Sequence, residues 1–214
     1  MKAEIFTSIL LGIPWTIALT LVSFGIGAIL GIPICAMRLS KFSALRFIAH
    51  LYGLVFRSIP PLLLVFIIYF GIGAGFLKIG PFQASVIGLG LVTAANMSEI
   101  YRGGVSAIHN GQWEAARALA LPGYSRYLDV IYPQLLRVCL PSSAGYVIGL
   151  LKDSAIASTV GVADIAFNAN QMARTTYQGL EVFAFAGVAY MVISIPIAIL
   201  ARIADRKMKS RIAI

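Results

Sequence analysis

Four stretches of this chain run for twenty residues or more without a charged side chain: 5–37, 58–77, 79–98 and 182–201. About 20 apolar residues in a helix cross the ~30 Å hydrocarbon core of a bilayer. A fifth window, 138–151, reaches that length only if charges lie near one of its ends. The pattern predicts an all-α membrane protein with about five transmembrane helices, in a single domain over 1–214. Composition removes the other classes. Hydrophobic residues make up 59% and charged residues 12%, against about 25% charged in an average protein. A water-soluble enzyme needs more charge to cover itself, and a disordered chain needs low hydrophobicity. Two cysteines cannot make a disulfide framework.

The net charge of +9 invites a nucleic-acid reading, but its distribution points to topology. Thirteen basic residues fall at Arg38, Lys41, Arg46 and Arg57, at Arg102, Arg117, Arg126 and Arg137, and at Arg202, Arg206, Lys207, Lys209 and Arg211. Only Lys2, Lys78, Lys152 and Arg174 lie elsewhere. The positive-inside rule places the thirteen in the cytoplasm. The N-terminus is then outside, the C-terminus cytoplasmic, and the number of spans odd. The first window is far longer than the 7–15-residue core of a signal peptide, so it reads as a retained helix.

The first span runs from about Pro14 to Met37 and carries Gly25, Gly27, Ala28 and Gly31, small residues that let helices approach closely in lipid. A basic loop, Arg38 to about His50, follows. The second span starts near Tyr52, with a kink or restart at Pro60-Pro61. A Gly-rich outer turn spans 71–81, and the third span covers about Phe82 to Ile108. The segment from about 109 to 137 is polar and reads as two short amphipathic helices, Gln112–Leu121 and Tyr124–Leu136, separated by Pro122-Gly123. The fourth span begins after Pro141 and continues into Lys152-Asp153-Ser154. A mixed outer segment occupies about 159–180, and the fifth span is about Val182 to Ile203. No internal repeat is visible.

Ionisable groups inside spans are costly and mark pathways or pairs. Glu99 lies nine residues from the expected end of the third span, roughly 13 Å deep at 1.5 Å per residue, and Asn96 shares its face. They are read either as a substrate pathway or as a structural pair of Glu99 with Arg102 or Arg57. Lys152, Asp153 and Ser154 form a polar patch that suits a charged amino-acid substrate or, equally, a helix end at the interface. His50, His109, Cys35 and Cys139 lack metal-ligand spacing. No nucleophile elbow or phosphate loop is present, and Gly71-Ile-Gly-Ala-Gly75 suits packing or a turn. No metal and no cofactor are expected.

The strongest motif lies in the cytoplasmic segment. Glu114-Ala115-Ala116, Ala120, Val130 and Tyr132-Pro133 resemble the EAA loop of ATP-binding-cassette importer permeases: Glu-Ala-Ala, three residues, Gly, nine residues, Ile, any residue, Leu, Pro. Ala120 stands in place of the Gly and keeps a small residue there. Arg57-Ser58-Ile59-Pro60-Pro61-Leu62 is similar to the Arg-Gly-Thr-Pro-Leu segment of the polar-amino-acid subfamily. So are Ala94-Ala95 with Glu99-Ile100-Tyr101-Arg102-Gly103-Gly104, and Leu151-Lys152-Asp153-Ser154 with Val160-Gly161-Val162-Ala163-Asp164. Asn96 stands near where the subfamily often has Tyr.

The resemblance implies a type I importer permease fold with a cytoplasmic coupling helix in the cell inner membrane. It implies a second permease subunit (a copy or a paralogue), a separate ATPase subunit that binds ATP, and an extracytoplasmic binding protein. The substrate would be a polar amino acid or a derivative such as an opine. Glu114, Ala115, Ala116, Arg117 and Ala120 would couple to the ATPase, and Asn96, Glu99, Lys152, Asp153 and Ser154 would lie near the pathway. The rival readings are an ion-coupled secondary transporter, which usually shows internal repeats and more spans, and a membrane scaffold without a pathway.

Overall fold

The computed structural model describes residues 2–73 and 77–209, with side chains described through residue 203. Residues 74–76 of the expected outer turn, and the side chains of Arg206, Lys207, Lys209 and Arg211 in the basic tail, lie outside the described part. Among the described residues all regular structure is helical: α1 (Lys2–Arg38), α2 (Ser43–Ser58), α3 (Pro61–Gly73), α4 (Pro81–Ala107), α5 (Asn110–Ala118), α6 (Gly123–Val160), α7 (Ile165–Thr176) and α8 (Gly179–Lys209).

Helices α1, α6 and α8 are each long and apolar enough to cross a membrane. The pair α2–α3 passes the same test jointly, bent by 100°. Helix α4 has 27 residues, about 40 Å at 1.5 Å per residue, but Gln83, Asn96 and Glu99 dilute its apolarity. It lies in the middle of the bundle and packs along α1.

Small residues make that packing close. A β-carbon on Gly27 would overlap the Thr93 side chain, and one on Gly31 would come within 2.9 Å of the Met97 β-carbon. Beside this seam Leu19, Val65, Leu89 and Leu150 join α1, α3, α4 and α6 in one core. Ile5, Ile9, Ile165 and Val182 join α1, α7 and α8 in a second. Large apolar side chains on the outside, such as Leu11, Ile29 and Leu200, suit lipid rather than water.

Three boundaries differ from expectation. Helix α1 starts at Lys2 rather than near Pro14 and runs through both Pro14 and Pro33, as lipid-embedded helices allow when neighbours satisfy the freed carbonyls. The expected basic loop is helical from Ser43, so α2 begins well before Tyr52. At its end Ile59 and Pro60 are extended, as a residue before proline must be, and Pro61 opens α3 at a new angle. The expected second amphipathic helix is the first part of one continuous α6. Pro133 lacks an N–H for the carbonyl four residues back, Asp129. That carbonyl lies in a widened π turn over Arg126–Ile131, which accommodates the ring without ending the helix.

Candidate functional site

The segment with the strongest sequence signal folds as a short exposed helix. His109 caps α5: its Nδ1 accepts the Gly111 N–H at 3.1 Å. Glu114, Ala115, Arg117 and Ala120 face outward with Leu119, which is 72% exposed, while Ala116 is buried against the chain's own body. Two contacts hold α5 on the start of α6. Trp113 meets Tyr127 edge to face, with ring centroids 5.9 Å apart, and Gln134 Nε2 donates to Gln112 Oε1 at 3.0 Å.

The helix ends earlier than its sequence suggested, at Ala118 rather than Leu121. The Ala120 N–H donates to Arg117 O (2.9 Å) and the Leu121 N–H to Ala116 O (3.1 Å), the paired bonds of a Schellman cap. Ala120 is left-handed, with φ +50°. This is the position at which the resembled motif has Gly. Glycine takes this conformation without the clash a β-carbon suffers, so the backbone, and not only the small size, explains the pattern.

The second constellation centres on Glu99. Arg38 and Arg102 each bond one of its carboxylate oxygens, and Arg57 Nη2 lies 4.0 Å away. Arg38 is the last residue of α1 and Arg57 is in the last turn of α2. Glu99 therefore sits level with the basic end of α1, not midway along the span. It ties α1, α2 and α4 together. The pairing with Arg102 was readable from the i, i+3 spacing; that with Arg38, 61 residues away, was not.

The third constellation surrounds Tyr146 of α6, a residue that the sequence did not single out. Its hydroxyl donates to Thr93 Oγ1 at 3.2 Å, and it lies within the reach of Asn96 and the field of Asp153. Asn96 Nδ2 donates to Val92 O at 2.9 Å. Lys152 and Asp153 are exposed, whereas Ser154 is fully buried and donates to Leu151 O. The expected patch thus divides: Asp153 faces the Asn96–Tyr146 group, and Ser154 belongs to the core.

A buried carboxyl lies where 161–164 crosses α1. Asp164 Oδ1 caps α7 by accepting the Phe167 N–H at 2.7 Å. Among the described residues its Oδ2 has no hydrogen-bond partner. Thr16 Oγ1 accepts the Ile165 N–H at 3.2 Å. Burial pushes the Asp164 carboxyl up to about 7, against the opposing pull of the backbone bonds it accepts.

Over residues 23–210 the chain matches the family described as "Binding-protein-dependent transport system inner membrane component". The chain belongs to this family. Among curated proteins it is similar to the arginine transport system permease protein ArtQ of Bacillus subtilis (strain 168), 38% identical over 204 residues, 94% of this chain and 93% of ArtQ. It is also similar to the nopaline transport system permease protein NocM of Agrobacterium fabrum, 32% identical over 212 residues, 94% of this chain and 88% of NocM. Among solved structures it is similar to a chain of "an amino acid ABC transporter with histidines", at TM-score 0.89 and 30% identity, with 96% of each chain covered. The chain is thus the membrane-embedded permease component of such a transport system. Its exposed helix α5, joined to α4 by Ile108 and His109 alone, is the part of the described chain that presents the EAA pattern.

Proposed function

We propose that this permease subunit imports a polar amino acid, or a derivative such as an opine, by alternating access driven by a separate ATPase subunit. The observation that carries the reading is α5: a short, exposed helix with small residues and a single acidic side chain, Glu114, pinned at its back by Trp113 and Gln112. Glu114, Ala115, Arg117 and Ala120 form the face offered to the ATPase. Ala116, turned inward, lets α5 lie close to the body. A second permease, a copy or a paralogue, completes the pathway, and an extracytoplasmic binding protein delivers the substrate. The N-terminus is outside and the C-terminus cytoplasmic.

An α-amino acid needs an acceptor for its ammonium group and a donor for its carboxylate. Asp153, exposed and facing Asn96 and Tyr146, suits the first role, and Lys152 the second. Ser154 steadies this turn from the core. Glu99 has both oxygens held by arginines; its part is to tie the helix ends that move between states. The ArtQ and NocM likenesses favour a cationic amino acid or an opine.

Pull-down of the tagged chain in mild detergent, with uptake assays in cells, tests the reading. Wild type should recover an ATPase and a second permease. Glu114→Ala should express normally and lose ATPase binding and uptake. Full uptake by Glu114→Ala, or a chain to which added ATPase does not bind, refutes it.

A further inference from the structure

Helix α2 has a composition unlike the other long helices. Phe47, Ile48, Leu51, Leu54 and Val55 are exposed and, at helical spacing, form one apolar stripe. Arg46, His50 and Arg57 run beside that stripe, while Ala49 and Gly53 face the body. The bend of 100° to α3 turns α2 across the direction of the span. An amphipathic helix with basic residues along its polar edge and large apolar side chains next to them lies in the plane of a membrane interface.

Next to this edge is a cavity of about 480 Å³ lined by Arg38, Ser43, Arg46, Phe47, His50 and Arg102. Arg38, Arg57 and Arg102 surround the Glu99 carboxylate, and Arg46 joins Arg38 and Arg102 in lining the cavity, so this junction carries four arginines against one carboxylate, an excess of three positive charges. Arg46 fixes the wall by donating to Ser40 O (3.0 Å) and Lys41 O (2.9 Å). Arginines side by side repel, and an anion among them offsets that cost.

We propose that this pocket holds the phosphate of an anionic phospholipid headgroup, with the acyl chains lying along the apolar stripe of α2. Charge complementarity and the continuity of basic pocket with exposed apolar stripe select a lipid over a free anion: the stripe has no use for inorganic phosphate. Basic pockets between membrane helices bind such headgroups elsewhere. The lipid would brace the junction at which Glu99 ties α1, α2 and α4. The inference rests on membership of a membrane-component family and not on the substrate, so its failure leaves amino-acid import untouched.

Native mass spectrometry of the purified complex, equilibrated with chain-matched phosphatidylglycerol and phosphatidylcholine, tests it. Wild type should retain phosphatidylglycerol preferentially. Arg46→Gln should lower that retention about fivefold, equivalent to the ~1 kcal/mol of one basic residue at an anionic surface, and Lys2→Gln should leave it unchanged. If Arg46→Gln misfolds on losing its two carbonyl bonds, Ser43→Glu, which puts a carboxylate into the same pocket, should also lower retention. Equal retention of the two lipids by wild type overturns the proposal, as does wild-type retention by a folded Arg46→Gln or Ser43→Glu. Displacement of phosphatidylglycerol by millimolar inorganic phosphate reassigns the pocket to free anions. Loss of the ATPase subunit with lipid retention intact reassigns it to protein docking.

Discussion

Asp164→Asn should remove a pH dependence of stability that the wild-type chain carries. The carboxyl is fully buried, its Oδ2 has no hydrogen-bond partner among the described residues, and burial pushes it up to about 7 from an ordinary 3.8. Between those values the folded state holds a proton that the unfolded state has released. Stability therefore falls as pH rises through the window and levels off above about 7. The separation is roughly three pH units at about 1.4 kcal/mol each, so the full cost is ~4 kcal/mol. Asparagine keeps an oxygen for the Phe167 N–H and cannot ionise. Near pH 4 the two proteins should be equally stable, and by pH 8 the variant should lead by up to ~4 kcal/mol, on the order of 10 °C for a chain this size. Thermal unfolding of both proteins in one detergent, from pH 5 to pH 8, measures the gap. A gap that stays constant across that range refutes the reasoning, because an ionisation held off by burial must appear as a slope.

Ala120→Gly should stabilise the chain by about 1 kcal/mol, since glycine accepts φ +50° without the left-handed penalty; Ala120→Val should destabilise it, both read by thermal unfolding. Gly12→Ala should cost about 1–3 kcal/mol as overpacking, because its β-carbon would lie 2.5 Å from the backbone of Asp164 and Ile165, atoms that no rotamer change can move. Gly25→Ala, with open space around it, is the matched control and should be neutral. Glu99→Gln should lower stability by roughly 1–3 kcal/mol, less than for a fully buried pair because the side chain is 30% exposed; unchanged unfolding with lost uptake would instead assign Glu99 to the pathway.

Much of the architecture was readable from where charges are missing. The uncharged windows correspond to α1, α3, the first two-thirds of α4, and α8, because an apolar run of that length has few other stable fates. What the windows hid were helices that are not uniformly apolar. Arg46, His50 and Arg57 made α2 look like a loop and part of a span, although Phe47, Leu51, Leu54 and Val55 already carried a helical period. Pro133 and Pro141 made α6 look like two pieces, although a π turn absorbs the first of these prolines. Local pairings such as Glu99 with Arg102 follow from spacing. Those set by tertiary packing, such as Glu99 with Arg38 or Tyr146 with Thr93, have no sequence signature at all.

The motif at α5 was readable as a pattern before it was readable as a structure, and the difference has mechanical weight. Ala120 looked like a packing residue. In the fold it closes α5 with two capping bonds, so the helix ends sharply and Pro122 can start α6 in a new direction. Between that cap and the two-residue joint to α4, α5 has little freedom to move alone. Trp113 and Gln112 tie it to Tyr127 and Gln134 of α6, and the joint ties it to α4, which carries Glu99 to the ends of α1 and α2. A displacement of α5 must then reach both sides of the bundle, through α6 toward Tyr146 and Asp153 and through α4 toward the arginine cluster. A short helix placed at an exposed surface that touches both routes is where an external motor would act with the least lost motion.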